Sequence, residues 1–327
     1  MQQRRNPALD AGSRPRPEGR LRAAGSPRRL SLSQKGTIYS LPPTAPLQAN
    51  SDQNLRRTPM ILYHYTTAAG LRGIVRTKSI WASDYRFLND ASEFNYGLSI
   101  FDRILKEDFS TWDDPAIPEM IGNFRKAASN FSVLIASFCQ HSDLLSQWKG
   151  YNGAVGYAIG FNNDWLNQNA EEQGFRLFPV CYDSKTQRHL VQQRIGLLRT
   201  LLAERREPRT PWEVTKEWWA QMLLTITALK SEHFKEEDEY RLVRVGDGWP
   251  VGICTRAAGQ GLVPYKPVKL DAKIIEHPSF HRNNVGIESI VVGPALLDQQ
   301  WHAVDALLAS QHMRVQIAKS VIPFLPR

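Results

Sequence analysis

The first 59 residues contain no apolar periodicity from which a core can be built, and this fixes where a folded domain can lie. They are rich in Pro, Arg, Ser and Gly. They hold eleven Lys or Arg residues (ten Arg and Lys35) against three acidic ones, Asp10, Glu18 and Asp52. The whole chain of 327 residues has 41 Lys and Arg against 32 Asp and Glu, a formal charge of +9. Eight of those nine charges lie before Met60, and residues 60–327 keep 30 basic and 29 acidic side chains. A basic chain invites a nucleic-acid or acidic-membrane partner. The nearly neutral remainder gives no electrostatic case for one.

Composition thus predicts a disordered basic leader over 1–59 and a single α+β domain over 60–327. The leader reads as a disordered tail for nucleic acid or membrane, as a targeting segment, or as translated sequence upstream of the true start. It has several prolines and little amphipathic helical patterning, and it lacks the apolar core of a secretory signal. Met60 directly precedes the first strand pattern, Ile61-Leu62-Tyr63-His64-Tyr65. An over-long start or an inert tail is the favoured reading. No apolar run after Met60 approaches the roughly 18 residues of a membrane-spanning helix, so no membrane partner is expected. Cys139, Cys181 and Cys254 are odd in number, widely spaced and set in apolar strands. They read as buried free thiols, which fits a reducing, cytoplasmic location.

Apolar spacing places a helix after Thr66 and Thr67, with Leu71, Ile74 and Val75 on one face. A strand follows at 80–83, a helix at 91–106 and another at 118–128. The centre is strand-rich, with runs at 131–138, 154–161 and 175–182. Long helices are expected at 187–206 and 212–232, separated by Pro208 and Pro211. Strands at 240–245, 265–270 and 287–292, a helix at 297–310 and a strand at 314–318 complete the pattern. Strands and helices do not alternate as in a doubly wound fold. The expected fold is a mixed α+β domain with a mainly antiparallel sheet and flanking helices.

No Gly-x-x-x-x-Gly-Lys-Ser/Thr or Gly-x-Gly-x-x-Gly phosphate loop is present, and no Gly-x-Ser-x-Gly elbow. His277 and His281 lack further ligands at zinc spacing, so no metal is predicted. Four clusters carry chemistry. His64-Tyr65-Thr66-Thr67 ends a strand, where a neutral imidazole can donate to and accept from a ribose hydroxyl. It also reads as a histidine satisfied by the next helix's capping region. Asn89-Asp90-Ala91-Ser92-Glu93 opens a helix; the plainer reading is a capping box of Asp90 with Glu93. Trp148 and Tyr151 sit among glycines and can wall a planar ring, or Trp148 can anchor the core. In Glu236-Glu237-Asp238-Glu239-Tyr240-Arg241, a strand starting near Glu237 puts Glu237, Glu239 and Arg241 on one face. A strand start at the solvent edge, with Glu239 paired to Arg241 or another basic group, is the plainer reading. A carboxylate placed against a positive centre or a ribose hydroxyl is the other.

In their order these clusters resemble a large bacterial family of unknown function. Its members carry His-Tyr-Thr, Phe-Asn-Asp-x-x-Glu, Ser-Phe, Trp-x-x-Tyr, Gly-x-x-Ile-Gly-Phe, Glu-x-Glu-x-Arg, Val-x-Gly-Pro and Ser-x-Ile-Pro. The corresponding stretches are His64–Thr67, Phe87–Glu93 (with Leu88 inserted), Ser137–Phe138, Trp148–Tyr151, Gly156–Phe161, Glu237–Arg241, Val291–Pro294 and Ser320–Pro323. A histidine on the first strand, an aromatic or serine on a middle strand and a glutamate on a late one also resemble the ADP-ribosyltransferase arrangement. That resemblance implies an ADP-ribosyltransferase-like fold and NAD as substrate. It gives His64 the ribose role, Glu239 the catalytic role and Glu237 the orientation of an acceptor. Tyr65, Trp148 or Tyr151 would pack nicotinamide, beside Thr66. Asn89, Asp90, Glu93, Ser137 and Arg241 are the other site candidates. The acceptor would be a protein, a nucleic acid or a small molecule. The competing expectation is a non-catalytic ligand-binding or protein-interaction domain of the same fold. A hydrolase built on the paired glutamates lacks an evident water-activating partner.

Overall fold

The computed structural model describes residues 60–88, 91–108, 123–124, 128, 130–150, 155–203, 211–259, 261–271 and 282–323. The expected leader and most of the helix expected at 118–128 lie outside the described residues. So do Asn89, Asp90, Tyr151, His277 and His281.

The chain begins with β1 (Ile61–Thr66), α1 (Ala68–Thr77) and β2 (Ser79–Asp84), then a single 3-10 turn at Tyr85–Phe87. Thr67 caps α1 as expected, its hydroxyl accepting from Gly70 N at 3.2 Å. Next come α2 (Ala91–Asp108), β3 (Phe131–Cys139), α3 (Leu145–Gly150), β4 (Tyr157–Asn162), α4 (Asn163–Glu171) and β5 (Arg176–Pro179). Two long helices, α5 (Ser184–Ala203) and α6 (Pro211–Thr227), precede a 3-10 turn at Glu232–Glu237. The chain closes with β6 (Glu239–Asp247), β7 (Cys254–Ala258), β8 (Gly261–Lys269), β9 (Ile287–Val292), α7 (Gln300–Ala309) and β10 (Gln316–Lys319).

The strands form one sheet in the order β10-β9-β4-β1-β3-β2-β8-β7. β6 pairs along the other side of β3 and is itself paired with β5. Of the pairings between these strands only β9–β10 is parallel, so the fold is mixed α+β with a mainly antiparallel sheet. The first strand in sequence lies in the interior, between β4 and the C-terminal end of β3.

Side chains alternate along each strand, so cross-strand register assigns faces. On one face Val133, Ile135, Val243 and Val245 pack beneath α2 and α6 through Phe101, Trp218, Met222 and Leu223. On the other, Leu62, Leu134, Ala136, Phe138, Ile159 and Leu242 pack against α1, α4 and α7 through Leu71, Leu166, Val304 and Leu308. Burying each such side chain stabilises the fold by about 2 kcal/mol. α2 crosses α6 closely because residue 97 is glycine: a Cβ there would stand 2.7 Å from Ile226 O.

Several boundaries differ from the sequence expectation, each for a local reason. The helix expected to reach 232 stops at Thr227, where the Thr225 and Thr227 hydroxyls donate to the carbonyls of Gln221 and Leu224. The strand expected from Glu237 starts at Glu239, because Asp238 is in the left-handed region (φ 39°) and closes a 3-10 turn. The strand expected over 175–182 is confined to Arg176–Pro179. α4 was hidden behind the strand pattern before it; Asn162 caps it by accepting from Trp165 N at 3.0 Å.

Candidate acidic site at the start of β6

Lys230 sits just beyond α6, where the chain makes a bridge with the end of β5. Cys181 N donates to Ala228 O and Lys230 N to Cys181 O. The Gln187 side-chain amide donates to both Cys181 O and Lys230 O at 2.7 Å. So fixed, the Lys230 ammonium meets three carboxylates: Glu93 at 2.8 Å, Glu237 at 2.7 Å and Glu239 at 2.8 Å. Arg241, two residues along β6, grips Glu239 with a fork. Its Nε donates to one carboxylate oxygen at 2.7 Å and its Nη2 to the other at 2.9 Å. Its Nη1 donates to Thr227 O, the open carbonyl at the end of α6, and Nη2 also reaches Glu93. Residues far apart in sequence thus converge: Glu93 from the first turn of α2, Lys230 after α6, and the Glu237–Arg241 motif.

Lys230, Glu239 and Arg241 are buried; Glu237 and Glu93 reach solvent, with side chains 15% and 22% exposed. Burial alone would push the Glu239 carboxyl up, but the Arg241 and Lys230 charges outweigh it and hold it at about 2. Burial would release the Lys230 and Arg241 protons, yet the carboxylates, Glu239 foremost, hold both pKa values above the ordinary range. Glu237 goes the other way: burial raises it, and Lys230 only partly offsets that. Three carboxylates share two cations, so the group carries one surplus negative charge. Glu237 is held by Lys230 alone among the described residues.

Around the acidic group stands a polar rim from the end of β3. Cys139 is paired in register with Glu239, and Ser137 with Arg241. Burial pushes the Cys139 thiol up to about 12, which disfavours its thiolate. The Tyr65 hydroxyl donates to His141 O and accepts from Leu144 N. His141 Nε2 bonds Asp238 at 3.1 Å, and the Tyr182 hydroxyl accepts from Glu239 N at 3.0 Å.

The structure therefore brings together Glu93, Glu237, Glu239 and Arg241 of the expected residues, with Tyr65 and Ser137 on the same face of the sheet. It does not bring His64 to them. Cys139 pairs with both Tyr63 and Glu239, so the neighbouring side chain of His64 projects to the opposite face, where its ring meets Phe138 with centroids 5.5 Å apart. The His64 Nδ1 donates to Ser137 O at 2.9 Å, which leaves Nε2 as the acceptor. Burial keeps the imidazole neutral, below its ordinary 6.5. Thr66 is buried at the end of β1, against Gly70 of α1. Trp148 is not the exposed wall: it is fully buried, packs edge-on against Tyr65 and donates from Nε1 to Asp143 at 2.6 Å. Asp143 also accepts from Ser320 Oγ and Val321 N, which pins the Ser-x-Ile-Pro tail beside β1. Asn89, Asp90 and Tyr151 lie outside the described residues. Sequence reasoning missed Lys230, His141 and Tyr182. The one available signal was a lone lysine directly after the apolar run Met222–Leu229.

Among the described residues no group of three or more His, Cys, Asp or Glu is placed to hold a metal ion. No described helix is long and apolar enough to cross a membrane.

A family model described as "Protein of unknown function (DUF2971)" matches residues 147–242, a span that contains Trp148, Lys230 and the whole Glu237–Arg241 motif. No curated protein matches the chain. Among solved structures, the DarT of Thermus sp. 2.9 in complex with NAD+ is similar at 12% identity, over 80% of this chain and 96% of that one, with a TM-score of 0.30. A likeness of that size defines neither a shared fold nor a shared activity.

Proposed function

We propose that the protein is an NAD-consuming enzyme, an ADP-ribosyltransferase or NAD glycohydrolase, in which Glu237 rather than Glu239 meets the sugar. The observation that carries the reading is the surplus carboxylate of the acidic group. Departure of nicotinamide leaves positive charge on the ribose, and a fixed, incompletely compensated carboxylate stabilises that charge as it develops. Both oxygens of Glu239 are engaged by Arg241 and Lys230, so Glu239 acts as the support that holds the two cations. Glu237 keeps a free edge toward solvent. The acceptor is a protein, a nucleic acid or a small molecule, or water in the glycohydrolase case.

A specific observation favours a second reading, a ligand-binding domain without chemistry: His64 faces away from the acidic group, and Glu239 is fully paired. Nicotinamide release from NAD, followed alongside NAD binding by calorimetry, separates the two. The enzyme reading expects release that falls by about 100-fold in Glu237→Gln, the scale of removing one preorganised electrostatic contact, with folding unchanged. Binding without release establishes the second reading. A Glu237→Gln variant that turns over like the wild type sinks the assignment of Glu237.

A further inference from the structure

The opposite face of the sheet holds an unrelated feature. Arg244 lies three residues beyond Arg241 on β6 and so projects to the other side, in register with Leu134, which is itself in register with Asp84. Lys266 of β8 shares this face through its partner Ala82. The 248–253 connection between β6 and β7 crosses above them. Lys266 Nζ donates to Val251 O at 2.7 Å, and Ile253 packs into the core of this face. The Arg86 guanidinium lies 5.4 Å from the centre of the half-exposed Trp249 ring.

Arg244 is 6% exposed, and its Nη1 is buried without a hydrogen-bond acceptor among the described residues. Gly246 lets the guanidinium fold back along its own strand, since a Cβ there would stand 3.1 Å from Nη1. Asp84, which shares this face through Leu134, is already engaged: Arg86 donates to it from Nε at 2.7 Å, from Nη2 at 3.0 Å and from its backbone N at 3.1 Å. Lys266 is near enough to Arg244 to feel its charge. Burial first, and then Arg244, lowers the Lys266 pKa, and burial lowers that of Arg244. Two neighbouring cations, one of them buried and unpaired, destabilise a fold unless an anion joins them.

We propose that Arg244 and Lys266, beneath the 248–253 connection, form a binding site for a phosphoryl group, with the Arg86–Trp249 pair at its mouth. The site is independent of the acidic group, since it lies on the other face of the sheet. An exposed indole beside the cations suits a phosphate ester that carries a planar ring.

The test uses the full chain and inorganic pyrophosphate as the probe, at constant ionic strength set with sodium chloride. The expected result is a saturable rise in melting temperature with a quench of tryptophan fluorescence. Arg244→Gln should abolish both, and Lys266→Gln should weaken the apparent affinity by about tenfold, as for loss of one charge-assisted hydrogen bond. Without pyrophosphate, Arg244→Met should melt no lower than the wild type, because it removes an uncompensated charge. If the Arg244 variants do not fold, the partly exposed Lys266 decides the matter alone. No saturable rise in the wild type, or undiminished affinity in Lys266→Gln, overturns the proposal.

Discussion

The five side chains of the acidic group should respond very unequally to substitution, because two buried cations are shared by three carboxylates. Lys230→Met leaves Glu93, Glu237 and Glu239 facing one another with only Arg241 between them. It should cost about 3–5 kcal/mol, the cost of breaking a buried pair from one side, read as the midpoint of guanidinium unfolding. Glu237→Gln removes the surplus charge and should be neutral to within about 1 kcal/mol, or stabilising, in the same experiment. His64 predicts a pH effect of definite sign. Its folded pKa lies below 6.5, so the unfolded chain binds the extra proton, and stability falls as the pH drops through that value. Glu237, raised above its ordinary 4.5, works oppositely: its contribution falls as the pH rises through its titration. Glu239 loses its contribution only as the pH falls from 4.5 towards about 2. Comparing the wild type with His64→Gln, which keeps a donor for Ser137 O, isolates the imidazole as the pH falls through 6.5. The wild type should lose stability on acidification there, and the variant should lose less. At this scale period-two spacing was enough to put Glu239 and Arg241 on one face, where the structure pairs them. It could not show that Lys230 would reach them, because that depends on where α6 stops.

Elements were legible where periodicity is strong and obscured where a local bond overrides it. β1, β3, β6 and β9 stand within a residue or two of their apolar runs. β7, with only Cys254, Ala257 and Ala258 as apolar residues, gave no such signal, and α4 was masked by the run that precedes its Asn162 cap. The face of His64 could not be read at all, because it follows from the β1–β3 register rather than from any local pattern. Close helix approach gives a testable consequence. Gly97→Ala drives a methyl group toward Ile226 O, a backbone atom with little freedom to yield. It should cost about 1–3 kcal/mol by overpacking. Because Glu93 lies one turn earlier on the same helix, the variant should also shift the environment of the Glu93–Arg241 pair, seen as an altered Glu93 side-chain carboxyl resonance. An unchanged resonance with lowered stability would show that α2 moves without disturbing the acidic group.

For the whole molecule, the charge imbalance yields a further expectation. A chain starting at Met60 should melt in the same transition as the full chain. It should also bind a polyanion column more weakly and with less salt dependence, since eleven Lys and Arg residues lie in the first 59. Failure of the shorter chain to fold would move the domain boundary upstream. The order of the sheet has a temporal consequence as well. β1 emerges first during synthesis, yet its partners on both sides come from β3 and β4, and beyond β4 lie β9 and β10. Asp143, near the middle of the chain, takes its last bonds from Ser320 and Val321. Completion of this face must therefore await synthesis through residue 321. A nascent chain held on the ribosome short of residue 320 would keep β1 flanked by unfinished neighbours.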